Sequence, residues 1–432
     1  MFAVFVLIGC RSEAVEEPLC DGCNVVLVSM DTLRADHVSA YGYPVATTPG
    51  VDALARRSVL FEDAISQSAW TRPAHFSMFT GLYPIEHGVV SMSGPGRLPP
   101  GVTTLAEVLA ARGYATAGFT AGANVSAHFG FDRGFERYET HGKRMVDNLA
   151  VTLDWLEQHA DERFFLFFHG LDPHRPYISE VEDRRALGLS DAPARGWQRA
   201  CEAGRPPDDL APFIGNYDAA IRRGDRALGE LLARIDSLGL TDRTIVVFTS
   251  DHGEAFFEHG RCFHIYRLDR EIVHVPLIIR VPGVEPRRVA GVVPASASVG
   301  PTLAALVGAG RMALPGPSLE GVLRGQLPSF DFVVSETSSR WRPGRPFGHV
   351  RALTADDHKL VHWLEDDRLE LFDTSVDPAE VDPVADASRL ARAKAELDGW
   401  VQRHPRLAGQ EQRSERLPPQ LRRELESLGY VD

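Results

Sequence analysis

Short, continuous apolar runs separated by helical stretches set the rhythm of this chain. Asn24–Met30 (NVVLVSM), residues 164–168 (FFLFF) and residues 244–250 (TIVVFTS) are runs of branched and aromatic side chains. They lack the alternation of a half-exposed strand, so they predict strands covered on both faces, as in a parallel sheet. Residues 114–120 and 276–281 read as further strands. Between them Tyr217, Ile221, Leu228, Leu231, Leu232, Ile235 and Leu238 recur at helical spacing. Residues 72–80 suit a short helix, with Pro73 near its start and Gly81 just past its end. Thr104 and Glu107 form a capping box before another helix, which Gly113 closes. Strands alternating with helices predict an α/β fold.

Two stretches break the rhythm. Residues 183–212 are polar and rich in Pro, Gly and Arg, which predicts a long surface excursion able to act as a lid. Beyond about residue 330, residues 350–354, Lys359–Trp363 and residues 369–372 read as short strands of an antiparallel sheet, followed by a helix over residues 390–401. The expected division is a leader over 1–23, a main domain over 24–325 and a smaller unit over 326–432. No internal repeat is visible.

Each buried run ends in polar residues. Asp31 follows the first, residues 169–174 the second, and Asp251-His252 the third. Ligand sites in open parallel sheets form outside the carboxyl ends of the strands, so these three clusters are expected along one sheet edge. An Asp at a strand end most often caps a helix or braces a loop. Here that reading has to cover two such Asp residues and a neighbouring His, a mixed oxygen and nitrogen set that suits manganese, zinc or calcium. Thr71 precedes a helix, where free N–H groups and the dipole favour an oxyanion. A hydroxyl there is either a plain N-cap or, beside a metal, a nucleophile. Asp172, His174 and His264 add groups able to bind an anion or protonate a leaving group.

Composition narrows the class. The 432 residues are 44% hydrophobic and 24% charged, with a net charge of −13. This acidic balance weighs against nucleic-acid binding. Residues 2–8 are apolar and lead to Cys10. The run is too short to span a bilayer, which takes about 20 residues, and it resembles a bacterial lipoprotein signal with Cys10 as the lipidated residue, although no Lys or Arg precedes it. That resemblance predicts an exported protein, lipid-anchored in the bacterial cell envelope. Residues 11–22 read as an acidic tether. Cys20-x-x-Cys23 suits a tight bridge or a redox pair, with the bridge favoured because no helix start follows. The partners of Cys201 and Cys262 stay open.

Taken together, the segments resemble the sulfatase family, a branch of the alkaline phosphatase superfamily. They are NVVLVSMDTLRAD from Asn24, WTRPAHFSMFTGLYP over residues 70–84 with His87-Gly88, DPHRPY from Asp172, TSDHGE over residues 249–254, then His264 and VPLIIRVPG over residues 275–283. Glu370-Leu371-Phe372-Asp373 and Asp377-Pro378-Ala379-Glu380 resemble the family's C-terminal signature. The resemblance implies an alkaline-phosphatase-like three-layer αβα sandwich with a mostly parallel central sheet, plus a small C-terminal α+β subdomain with an antiparallel sheet. It also exposes a departure. Sulfatases carry a Cys or Ser, converted to formylglycine, in a C/S-x-P-S-R pattern. This chain reads Thr71-Arg72-Pro73-Ala74-His75, and the family's paired N-terminal Asp residues are Asp31-Thr32. The family's G-K-W-H-L-G segment has no counterpart around residues 117–120.

The altered pattern is similar to phosphoryl-transfer branches of the superfamily, which include phosphonate monoester hydrolases, nucleotide phosphodiesterases and lipoteichoic-acid-synthase-like transferases; several of these branches use an unmodified Thr. The resemblance implies one divalent cation, calcium or manganese ahead of zinc, on Asp31, Asp251 and His252. It implies in-line attack by a metal-activated Thr71, with His174 and His264 assisting and His75, Asp172 and Arg34 binding substrate. The expected activity is hydrolysis of a small-molecule or glycan sulfate or phosphate ester, with membrane contact only through Cys10. An envelope phosphoryl transferase and a non-catalytic binding protein on the same fold are the alternatives.

Overall fold

The computed structural model describes residues 17–90, 96–310, 313–339, 348–407, 417–428 and 430. The proposed signal and Cys10 lie outside the described residues. In chain order the first strands are β1 (Asn24–Met30), β2 (Val59–Ile65), β3 (Ala115–Phe119), β4 (Arg137–Glu139), β5 (Phe164–Gly170) and β6 (Thr244–Thr249). Then come β7 (Ala255–Phe256), β8 (Cys262–Phe263), β9 (Leu277–Arg280) and β10 (Arg287–Pro294). The last four are β11 (Val333–Ser338), β12 (His349–Thr354), β13 (Lys359–Trp363) and β14 (Arg368–Phe372).

Eight strands form the main sheet in the order β10-β2-β9-β6-β1-β5-β3-β4. Its pairings are parallel except those of β9, which runs antiparallel to both β2 and β6. The central strands are buried end to end, as their apolar runs predict. Alternate residues divide between two cores. Val25, Leu27, Phe165 and Phe167 pack with Trp70, Phe76 and Phe79 on one face. Val26, Val28, Leu166 and Phe168 pack with Tyr217, Ile221 and Leu228 on the other. Helices on both faces make the three layers, and each fully buried Leu or Phe contributes about 1.5–3 kcal/mol. The long helix on the second face spans Ala211–Ser237.

Strands β11 to β14 form a separate antiparallel sheet in sequence order. It docks on the main sheet near the end of β2, where Ser335 Oγ donates to the Ser66 carbonyl and the Glu336 N–H to the Gln67 carbonyl. The helix Ala387–Arg403 packs on it through Ala393, Leu397 and Trp400. Strands β2, β10 and β11 escaped the sequence reading. Glu62 and Asp63 in β2 and the two arginines of β10 break the apolar runs.

The excursion over residues 183–212 is more ordered than its composition suggests. It contains most of the helix Val181–Ala186 and all of Trp197–Ala203. Trp197 is buried against Tyr177, Phe256 and Phe257. A disulfide joins Cys201 to Cys262, and a second joins Cys20 to Cys23. Among the described residues no helix is long and apolar enough to cross a membrane.

Candidate active site

The register of three central strands assembles the site. In β1, Ser29 pairs with His169 of β5 on one side and with Thr249 of β6 on the other. Asp31 and Asp251 therefore emerge side by side, just past the carboxyl ends of β1 and β6. Thr32 follows with φ of 60°, a left-handed conformation costly for a β-branched residue. Its N–H donates to Asp251 Oδ1 at 3.2 Å, and its carbonyl accepts from the Tyr217 hydroxyl at 2.6 Å. These contacts hold the turn that aims Asp31.

One atom from each of Asp31, Asp251 and His252 lies within 4.8 Å of the others, and all three residues are fully buried. Asp31 Oδ1 and Asp251 Oδ2 have no hydrogen-bond partner. Burial pushes both carboxyl groups up from their ordinary range, and the Asp31 charge pushes Asp251 further. His252 Nδ1 faces the Gly253 carbonyl at 2.9 Å. A carbonyl only accepts, so Nδ1 carries the hydrogen and the Nε2 lone pair faces the carboxylates. Two orphaned carboxylate oxygens and an imidazole lone pair fit a divalent cation.

Thr71 is the first residue of the helix Thr71–Thr80, and Trp70 occupies the N-cap position. The Thr71 side chain makes no capping bond. Its Oγ1 lies 3.1 Å from Asp31 Oδ2, 3.5 Å from His252 Nε2 and 3.2 Å from the Tyr430 hydroxyl. A hydroxyl has one hydrogen, and Asp31 Oδ2 is the nearest acceptor with no hydrogen of its own to give.

His174 and His264 complete the opposite wall. His174 Nδ1 donates to the Arg175 carbonyl at 2.7 Å, leaving Nε2 to face Tyr430 at 3.3 Å. His264 Nε2 lies 2.9 Å from the same hydroxyl, and its Nδ1 is 3.1 Å from Glu254 Oε1. Burial pulls His174 down to about 3 and His264 well below its ordinary value, and pushes Glu254 up to about 8. At neutral pH Glu254 therefore keeps its proton and donates to His264 Nδ1, which places the imidazole hydrogen on Nε2.

Three expected substrate contacts fall elsewhere. Asp172 is buried against Arg223 Nε at 3.0 Å and accepts from the Met145 N–H at 2.7 Å, so its carboxylate ties two helices together. Arg34 is spent on Asp36 and Glu258 and lies over the Phe256 ring. His75 faces the metal side. Its Nδ1 donates to the Thr71 carbonyl at 2.9 Å, and its Nε2 meets Ser29 Oγ at 3.0 Å. All three are polar residues beside the right strand or helix, and proximity in sequence does not reveal which way a side chain turns.

Four further residues at the site carried no assigned role in the sequence, although His169 stood in the polar cluster that follows the apolar run of β5. His169 Nδ1 accepts from the Ala121 N–H, which leaves Nε2–H pointing toward Asp31 Oδ2 at 3.7 Å. Arg72 is buried, stacked 3.5 Å above the Phe129 ring and bonded to Asn124 Oδ1, and burial pulls it down to about 9. Glu254 was visible in the TSDHGE segment but carried no assigned role. Tyr430 carried no signal at all.

A mostly parallel sheet with this constellation at its carboxyl edge defines an alkaline-phosphatase-like α/β scaffold. The sulfatase family model matches residues 23–309, more than half of the chain, and the chain belongs to that family. It is 28% identical to human arylsulfatase A over 363 residues, covering 69% of this chain and 66% of that protein. It is 26% identical to a Δ4,5-hexuronate-2-O-sulfatase of Bacteroides thetaiotaomicron over 457 residues, covering 92% and 91%. The chain thus spans 66% of the length of the arylsulfatase A it matches. Among solved structures, a 2-O GAG sulfatase superposes with a TM-score of 0.72 at 22% identity, over 88% of this chain and 92% of that one. The phosphonate monoester hydrolase of Agrobacterium radiobacter superposes at 0.69 and 21%, over 91% and 100%.

Proposed function

We propose that the protein hydrolyses a sulfate or phosphate ester through a covalent intermediate on Thr71. The observation that carries this reading is the place of Thr71 Oγ1, at the start of a helix and within hydrogen-bond reach of Asp31 Oδ2, beside Asp251 and His252. A divalent cation on Asp31, Asp251 and His252 would supply Lewis-acid stabilisation of the ester oxygens and of the attacking oxygen.

The chain's own groups do the rest. Asp31 Oδ2 accepts the Thr71 proton as Oγ1 attacks sulfur or phosphorus in line. The N–H groups opening the Thr71–Thr80 helix face the oxygens on which charge grows. The leaving oxygen takes the hydrogen of His264 Nε2, while Glu254 passes its own proton to Nδ1. His174 meets a second ester oxygen, and the arriving negative charge raises its proton affinity. Water then attacks the Thr71 ester, its proton passing through His264 to restore Glu254, while Thr71 Oγ1 leaves with the proton held on Asp31.

An unmodified hydroxyl nucleophile favours phosphate diesters and phosphonate monoesters over the sulfate esters of the family name. The two disulfides suit an oxidising compartment, in keeping with an exported, envelope-anchored protein. The test is a side-by-side assay of aryl sulfate, aryl phosphate, bis-aryl phosphate and an aryl phosphonate, on protein stripped of metal and resupplied with manganese, calcium or zinc. Thr71→Ala should lower kcat by on the order of 10⁴ or more while leaving the melting temperature in place. Undiminished turnover in that variant refutes the mechanism.

A further inference from the structure

The hydroxyl of Tyr430 stands where a substrate must stand. In-line attack needs the reacting atom about 3–3.5 Å from the nucleophile, and the Tyr430 oxygen lies 3.2 Å from Thr71 Oγ1. It also holds both histidines that face the site, at 3.3 Å from His174 Nε2 and 2.9 Å from His264 Nε2. A phenol hydroxyl has one hydrogen, which His174 Nε2 can accept, and its oxygen also faces His264 Nε2 and Thr71 Oγ1. An ester oxygen held beside Thr71 would need the same space, so substrate and Tyr430 exclude each other.

The segment that delivers Tyr430 rests on the main core through a short helix. The helix Pro419–Ser427 buries Leu421 and Leu425, and Leu428 and Tyr430 join the same core. Its carboxyl end is pinned by two cations flanking the site. Arg175 donates to the Leu428 carbonyl at 2.8 Å, and Lys143 Nζ to Ser427 Oγ at 2.9 Å. Both hydrogen bonds are to neutral oxygens; Lys143 is also near the Glu424 charge, and Arg175 lies 4.1 Å from the Phe263 ring. The outward positions of the helix carry Arg422, Arg423 and Glu426, all exposed.

We propose that residues 417–428 and Tyr430 are an intramolecular occupant of the substrate site, an autoinhibitory strap that an anionic ester displaces, freeing Thr71, His174, His264, Arg175 and Lys143 together. This rests on the preceding reading only in placing the anion beside Thr71, so it is tested by binding rather than by turnover. Inorganic sulfate and phosphate are titrated by calorimetry into the metal-resupplied full chain, into Tyr430→Phe, into Tyr430→Ala and into a variant lacking residues 417–432. The Tyr430 hydrogen bonds to the two histidines compete with the anion, so Tyr430→Ala and the shortened chain should bind about tenfold tighter or more, with Tyr430→Phe in between. Equal or weaker anion binding in Tyr430→Ala overturns the strap, and would make Tyr430 part of the anion's own binding site. If the shortened chain melts early, Tyr430→Ala decides alone. Amide exchange on the full chain gives a second reading. Saturating anion should speed exchange across Pro419–Ser427, and unchanged exchange there counts against displacement.

Discussion

Asp31→Asn separates the role of the two buried carboxylates from that of the surrounding fold. Asp31 and Asp251 offer ligand atoms within 4.8 Å of each other in a fully buried pocket. Two full charges at that distance repel by about 3 kcal/mol at an effective dielectric constant of 20. Without a cation the pair escapes part of this by keeping a proton, since burial pushes both groups up and the Asp31 charge pushes Asp251 further. Asn keeps the shape and an acceptor for Thr71 while removing one charge. In chelator the variant should therefore be more stable than the parent by about 1–3 kcal/mol, which is about 1–3 °C in Tm for a chain of this size. With cation present the order reverses. The parent gains about 2.7 kcal/mol at a cation concentration one hundred times its Kd, and the variant gains little. The assay is thermal unfolding of both proteins in chelator and across calcium, manganese and zinc. A parent indifferent to all three ions, or a variant less stable than the parent in chelator, refutes the charge-pair reasoning.

Other substitutions divide structural from chemical roles. Asp172→Ala leaves Arg223 buried without its counter-charge and should cost about 3–5 kcal/mol in urea unfolding; a loss of kcat with full stability would instead return Asp172 to the substrate. The acid limb of stability should reflect buried neutral histidines. His87 and His274 are pulled down to about 3 and 4 by burial, so the unfolded chain binds their protons first. Their contribution is intact above pH 6.5 and is lost as pH falls toward 4 and 3, by about 2 kcal/mol each at pH 5. His87→Gln should lose less stability than the parent between pH 7 and 5, and an identical loss in both proteins refutes the assignment.

How much of this was legible beforehand follows from what sequence pattern encodes. Asp31, Asp251 and His252 were readable because each ends an unbroken apolar run, and a buried parallel strand fixes where its last residue goes. Thr71 was readable as a helix start beside that edge. Arg34, His75 and Asp172 occupy equally suggestive positions, but their side chains turn to Glu258, Ser29 and Arg223, and those partners sit 46 to 224 residues away. Long-range pairing of that kind leaves no local trace. Tyr430 lies further still, 359 residues from Thr71, at the end of an amphipathic helix that reads as ordinary surface.

The hydrogen-bond ladder of the central sheet acts as a ruler for the chemistry. Neighbouring strands stand about 4.7–4.9 Å apart whatever side chains they carry, and Asp31 and Asp251 lie side by side because they leave adjacent strands β1 and β6 at the same level. The interval belongs to the backbone, so it survives wholesale replacement of the apolar residues around it. That is how a chain 21% identical to a phosphonate monoester hydrolase can keep the same frame over 91% of its length. The same ruler is unforgiving of register. One residue inserted within β1 would rotate Asp31 to the opposite face of the sheet and move a ligand by a full step, which no adjustment of the loops beyond it could undo.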